Sequence, residues 1–71
     1  MKKETYVKKM TDKGYDVKEQ EDGLIISDGY GFRCFVSSEQ WLALNTAGIV
    51  ELPKEEFEIT LKYARTPLNK R

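Results

Sequence analysis

The chain has 71 residues, of which 39% are hydrophobic and 34% are charged, and its formal net charge is zero. This composition is too apolar for a disordered tail, and the length suits one small domain with a thin core. No apolar run approaches the roughly 20 residues that cross a bilayer, residues 1–4 do not begin a secretory signal, and a lone cysteine forms no internal disulfide. We therefore expect a single cytoplasmic domain over residues 1–71, with no membrane partner.

Charge is distributed unevenly along the chain. Residues 1–13 carry a net charge of +3, residues 14–58 carry −7, and residues 59–71 carry +4. Two interpretations are open: the basic ends attract the acidic middle within the fold, or the protein presents two surfaces of opposite sign.

A helix followed by a three-stranded meander is predicted for the first half of the chain. Residues 3–13 have apolar side chains at helical spacing, and Gly14 is well placed to end the helix. Three short stretches with β-strand character follow, separated by the turn sequences Asp22-Gly23, where glycine is expected at positive φ, and Asp28-Gly29-Tyr30-Gly31. Alternation predicts one inner face that consists of Tyr15, Val17, Leu24, Ile26, Phe32, Cys34 and Val36.

Two further helices are predicted in the second half. Ser37 and Gln40 have the spacing of a capping box, which favours a helix from about Ser38 to Ala47, with Trp41 in the core or, as the alternative, in an interface. Gly48 would end this helix, and residues 49–52 would form an extended connector.

Residues 54–65 fit two periods. Their charges match a helix dipole and Pro53 suits a helix start, but Phe57, Ile59, Leu61 and Tyr63 also alternate as a strand would. We favour the helix, ended by Thr66-Pro67, with frayed last residues. The predicted fold is α+β, in the order α-β-β-β-α-α, with a three-stranded antiparallel meander and helices packed on one face.

No catalytic, cofactor or metal site is predicted. Histidine is absent, and Cys34 is expected as a packed thiol in mid-strand. Gly29-Tyr30-Gly31 lacks the remainder of a nucleotide-binding motif, and the acidic residues lack calcium-loop spacing. We therefore expect a protein that is not an enzyme.

Two candidate interaction surfaces remain. The sheet face opposite the predicted core would carry Lys18, Ile25, Arg33 and Phe35, which fits a protein partner unless the C-terminal segment covers it. Homodimer formation through this face or through Trp41 is a further alternative. The other surface is a basic patch for nucleic acid, built from the two terminal segments and including Lys2, Lys3, Lys9, Lys13, Lys62 and Arg65.

The closing stretch Tyr63-Ala-Arg-Thr-Pro-Leu-Asn-Lys-Arg71, after the segment that begins at Pro53, resembles the ends of small uncharacterised proteins from phages and prophages of Gram-positive bacteria. The resemblance implies a cytosolic accessory protein that binds a host or phage macromolecule. The leading hypothesis is a non-enzymatic protein-binding module, and the alternative is a nucleic-acid-binding accessory protein.

Overall fold

The computed structural model describes residues 1–46 and 52–71 of the chain. Its regular elements, in chain order, are α1 (Lys3–Asp12), β1 (Asp16–Glu19), β2 (Gly23–Asp28), β3 (Gly31–Ser37), β4 (Leu44–Thr46), α2 (Lys54–Arg65) and a short 3-10 helix (Leu68–Lys70). The four strands form one antiparallel sheet in the order β1-β2-β3-β4. The predicted α+β class and the three-stranded meander are confirmed, with a fourth strand added at the edge.

The first hairpin differs in detail from its prediction. It closes over Gln20–Gly23, where the N–H of Gln20 donates to the carbonyl oxygen of Gly23 at 2.8 Å, and Gly23 is the first residue of β2. The expected positive φ at Gly23 is wrong; among the described glycines it occurs at Gly14 and Gly31. Glycine is needed at position 23 for space, because an added Cβ would lie 2.6 Å from the ring of Phe35 and closer still to the carbonyl oxygen of Val36.

The helix predicted from Ser38 to Ala47 is wrong over the residues that are described. Ser37 Oγ does accept hydrogen bonds from the N–H groups of Glu39 and Gln40, both at 3.1 Å, as the capping pattern predicts. The chain then turns through Leu42 at φ +58° and pairs with β3 as strand β4. The local sequence favours a helix start here, but pairing with the distant strand β3 determines the structure that forms. Ala47, Gly48 and most of the predicted connector lie outside the described residues.

Residues 54–65 form a helix, so the competing strand interpretation is wrong. Thr60, Tyr63 and Ala64 form its buried face, whereas Phe57 is 40% exposed. Helix α2 lies antiparallel beside α1: the ring of Tyr6 stacks on that of Tyr63, with centroids 4.5 Å apart and planes at 7°. Both helices pack against one face of the sheet and enclose the core.

Phe32 is not part of that core. A β-bulge follows the pair Ile26–Cys34, so that the next pair is Ser27–Phe32 and Arg33 is the additional residue on β3. Paired residues share a face, and Ser27 faces away from Ile26 because neighbouring side chains alternate. The bulge thus moves Phe32 to the side opposite the helices, where it is 42% exposed.

The last residues are ordered by side-chain contacts, so the expectation that they fray is wrong. After the 3-10 helix, the guanidinium of Arg71 donates to the carbonyl oxygens of Ser37 at 2.5 Å, Ala64 at 3.0 Å and Thr66 at 3.1 Å. It also lies 4.9 Å above the ring of Tyr63. Arg71 therefore joins the end of α2 to the end of β3.

Candidate functional site

The sheet face opposite the two helices, here called the outer sheet face, carries a row of side chains that crosses all four strands. The register places Lys18 opposite Ile25, Ile25 opposite Phe35, and Phe35 opposite Asn45. Lys18 and Asn45 at the two ends are exposed, whereas Ile25 and Phe35 in the middle are half-buried. The sequence predicted Lys18, Ile25 and Phe35 on this face, and the structure brings them together in one row.

Phe32 adds a second aromatic side chain to the outer sheet face. It pairs with Ser27, which in turn pairs with Asp16 on β1. The alternating pattern assigned Phe32 to the core because it assumed an uninterrupted strand. No residue pattern in the sequence marks the inserted position, so sequence reasoning missed this residue.

Arg33 does not extend the face as a free cation, contrary to expectation. Its Nε atom donates to Asp28 Oδ2 at 2.6 Å, and the Arg33 side chain is only 13% exposed. This hydrogen bond is the main reason that the pKa of Asp28 lies below its usual value. Asp28 alternates in phase with Ile26, on the helix side of the sheet, so the bulge draws the Arg33 charge away from the outer sheet face.

Phe35 has a specific support beneath it. Its ring lies against the backbone of Gly23 on the neighbouring strand, in the space that a Cβ would occupy. Phe35 therefore packs on the backbone of β2 near the middle of the outer sheet face.

The predicted basic patch is divided by the fold. Lys3 forms an ion pair with Glu19 at 2.7 Å, and Lys13 forms one with Glu55 at 2.8 Å. The Lys13 ammonium lowers the pKa of the Glu55 carboxyl by direct hydrogen bonding. These pairs join the basic ends to acidic side chains in the middle of the chain, as the first interpretation of the charge pattern expected.

The remaining predicted cations lie at two different places. Because α1 and α2 are antiparallel, Lys2 lies near the end of α2 that carries Lys62 and Arg65, where the Met1 amino group donates to Thr66 Oγ1 at 2.8 Å. Lys9 lies in the last turn of α1, toward the opposite end of the helix pair. Lys2, Lys9, Lys62 and Arg65 are exposed, and none forms an ion pair within residues 1–46 and 52–71.

Trp41 lies at the surface, so its predicted place in the core is wrong. It is 58% exposed, and its indole Nε1–H donates to the carbonyl oxygen of Arg65 at 2.6 Å. Together with Pro67, Leu68 and Asn69 it lines an open groove of about 450 Å³. The sequence offers no local signal for this placement, since it depends on the turn at Leu42.

The buried polar groups have structural partners. The hydroxyl groups of Tyr6 and Thr60 lie 2.9 Å apart within the core, next to the Cys34 thiol. Burial raises the pKa of Cys34 to about 11, which keeps the thiol protonated at neutral pH. Across the described ranges, the structure contains no cluster of three or more side chains suited to metal binding. Neither does this part of the chain contain a helix long and apolar enough to cross a membrane.

The fold and its surfaces define a small α+β domain with two helices on one side of an antiparallel sheet. Comparison with protein-family models, with curated proteins and with solved structures gives no match.

Proposed function

We propose that this protein is a non-enzymatic protein-binding module that recognises its partner through the outer sheet face. The observation that carries the proposal is the grouping of Ile25, Phe32 and Phe35 on the side of the sheet that faces away from both helices. Aromatic residues are enriched at protein interfaces, where they bury a large area at a low cost in conformational entropy. Lys18 at one end and Asn45 at the other would supply a polar rim.

The character of this surface favours a protein partner over nucleic acid. Its centre is apolar, and the one arginine expected there is held in an ion pair with Asp28. Nucleic-acid binding relies on several cations that contact phosphates together. Of the predicted basic patch, Lys3 and Lys13 already contact carboxylates.

The resemblance of residues 63–71 to phage and prophage proteins supports a cytosolic accessory role for this module. If that proposal holds, the amount of the protein rises when a prophage that encodes it is induced. A constant amount through induction, measured by quantitative mass spectrometry, would contradict it.

A matched pair of variants tests the proposed surface. Phe32 and Phe57 are 42% and 40% exposed, but Phe32 lies on the outer sheet face and Phe57 lies on α2. A partner is first captured on the tagged protein and identified, and its affinity for purified variants is then measured by calorimetry. We expect Phe32→Ser to weaken binding by about tenfold or more and Phe57→Ser to leave it nearly unchanged.

Salt provides a second discriminating measurement. A complex centred on Ile25, Phe32 and Phe35 should lose little affinity between 50 and about 200 mM salt, whereas a phosphate-dominated complex loses several orders of magnitude. Equal effects of Phe32→Ser and Phe57→Ser, with both variants folded by circular dichroism, would refute the proposed surface. A steep salt dependence would indicate that the complex forms through the basic residues instead.

Nucleic-acid binding is the second candidate function, and one observation favours it. The antiparallel helices bring Lys2 to the same end of the protein as Lys62 and Arg65, as a phosphate-binding surface requires. The double variant Lys62→Glu with Arg65→Glu should then abolish binding to DNA or RNA at low salt. If the unmodified protein shifts neither nucleic acid in a gel at low salt, this candidate fails.

Self-association is tested separately. If the outer sheet face forms a homodimer, sedimentation equilibrium will show a mass that rises with concentration and that Phe32→Ser returns to the monomer value. A monomer at all concentrations leaves a different protein as the partner.

A further inference from the structure

We propose that the groove beside Trp41 binds a short segment of a partner protein in which acidic residues flank a large apolar side chain. This groove, lined by Trp41, Pro67, Leu68 and Asn69, lies at the end of α2 and shares no residue with the outer sheet face. It is therefore a second binding surface, and its existence does not depend on the first.

The apolar part of the groove is held in place before any ligand binds. The Trp41 ring is fixed by the hydrogen bond from its Nε1–H to the carbonyl oxygen of Arg65 at 2.6 Å. The next N–H, that of Leu42, donates to the carbonyl oxygen of Ala64 at 3.0 Å. An aromatic ring that is already ordered loses little conformational entropy when a ligand covers it.

The turn that places Trp41 there is itself unusual. Leu42 adopts a φ of +58°, a conformation that costs a non-glycine residue free energy unless other contacts offset it. Two hydrogen bonds join this turn to the end of α2, one from the Trp41 indole N–H and one from the Leu42 backbone N–H. In the groove that results, Trp41 is 58% exposed and Leu68 is 38% exposed.

The charge around the groove selects the chemistry of the partner. Residues 59–71 contain four cations and no acid. Arg71 contacts backbone carbonyls, whereas Lys62, Arg65 and Lys70 are exposed and form no ion pair in the part of the chain that the structure describes. An apolar groove beside unpaired cations complements a segment that carries carboxylates next to an aromatic or aliphatic side chain.

The size of the groove sets the scale of its occupant. The groove is wide open to solvent and is lined by four residues, Trp41, Pro67, Leu68 and Asn69. It therefore offers contact area for one or two side chains of a peptide that lies across it.

Trp41 is the only tryptophan, so its fluorescence reports directly on the groove. The probe is a capped synthetic peptide that carries phenylalanine and leucine between glutamates. One control peptide has every glutamate replaced with lysine, and another has every apolar residue replaced with serine. We expect the acidic apolar peptide to shift the Trp41 emission to shorter wavelength in a saturable manner, and neither control peptide to do so at the same concentration.

Variants locate the binding site by polarisation of the same peptide carrying a dye. Arg65→Glu should weaken binding about fivefold, because it reverses a charge beside the groove. Lys9→Glu makes the same charge change at the other end of the helix pair and should have no effect. Leu68→Ser removes apolar surface from the groove wall and should weaken binding about tenfold. Circular dichroism establishes that each variant is folded.

Several results would overturn this inference. The inference fails if the acidic apolar peptide and the serine control bind equally well, or if Arg65→Glu and Lys9→Glu have equal effects on binding. It also fails if no peptide changes the Trp41 emission. An emission shift with vesicles of anionic lipid but not with peptide would assign the groove to a membrane surface instead. A shift that appears without ligand as protein concentration rises would assign it to a second copy of the chain. None of these outcomes bears on Phe32, so the outer sheet face is tested independently.

Discussion

Arg71 should contribute more to stability than any other charged side chain in the described structure. Its replacement tests how strongly its contacts hold the end of β3 against the end of α2. Its guanidinium donates to three backbone carbonyls, those of Ser37, Ala64 and Thr66, and lies over the ring of Tyr63. These contacts connect the end of β3 with the end of α2. No comparable set of contacts involves any other cation within residues 1–46 and 52–71.

The size of the effect follows from the contacts. Each hydrogen bond contributes about 1 kcal/mol net, and the cation–π contact about 0.5–1 kcal/mol. Ordering the long side chain costs up to about 2 kcal/mol. We therefore expect Arg71→Ala to lower the free energy of unfolding by about 2 kcal/mol, which for a domain of this size lowers Tm by about 8–16 °C.

Two companion variants separate the possible causes. Arg71→Lys keeps the positive charge near the end of the helix but cannot donate in three directions from one plane, so it should lose about half as much stability. Lys70→Ala removes an exposed neighbouring cation and should change stability by less than about 0.5 kcal/mol. Urea unfolding followed by circular dichroism measures all three. If Arg71→Ala is no more destabilising than Lys70→Ala, the proposed contribution of the Arg71 contacts to stability is wrong.

Three further predictions follow from the packing and the pKa shifts. Gly23→Ala should lower the free energy of unfolding by about 1–3 kcal/mol, because its Cβ would overlap the neighbouring strand. Gly29→Ala should be nearly neutral, because nothing lies within 4 Å of the added Cβ. Thermal unfolding compares the two variants, and equal Tm values would contradict the prediction. Folding raises the pKa of Cys34 to about 11, so the stability that its protonated thiol contributes is full below about pH 9 and falls as pH rises toward 11. Cys34→Ala should therefore lose less stability at alkaline pH than the unmodified protein, as measured by urea unfolding at several pH values. A loss of the same size in the variant would show that Cys34 is not its cause. Tyr6→Phe and Thr60→Val should each lower the free energy of unfolding by about 1–2 kcal/mol. The double variant should lose less than the sum of the two, because the two hydroxyl groups share one buried hydrogen bond. Strict additivity in a double-mutant cycle would show that the pair does not interact.

Local signals were sufficient to predict both α-helices and the first three strands. Turn residues and alternating side chains predicted the meander, because each hairpin is closed within a few residues of sequence. Helix α2 was predicted from Pro53 and from the charges at its two ends, which act within one turn of the helix. Helix α1 was found in the same way, from spacing and Gly14.

What the sequence did not predict depends on contacts between distant residues. The helix expected after Ser37 has the correct capping contacts, but β4 forms instead because its residues pair with β3 and because Leu42 bonds to the end of α2. The bulge at Arg33 moved one aromatic side chain onto the outer sheet face and removed a cation from it. Of the four residues predicted for the partner-binding surface, three therefore remain suitably placed, and Phe32 replaces the fourth.

Exposure of Trp41 has the same kind of cause. A small domain would be expected to bury its single tryptophan, yet the core is filled by Tyr6, Tyr63 and the aliphatic residues of the sheet. Trp41 instead completes the end of α2 through its N–H group. This role could be recognised only after the course of the chain between β3 and β4 was known.

Binding at the outer sheet face is tested most directly by NMR spectroscopy of the ¹⁵N-labelled protein, titrated with the partner that it captures. The proposal predicts that the largest amide shifts cluster at Lys18, Ile25, Phe32 and Phe35, and that the amides of α1 change little. Shifts concentrated on α1 and α2, with those four residues unchanged, would show that the partner binds on the helix side and that the proposed surface is wrong.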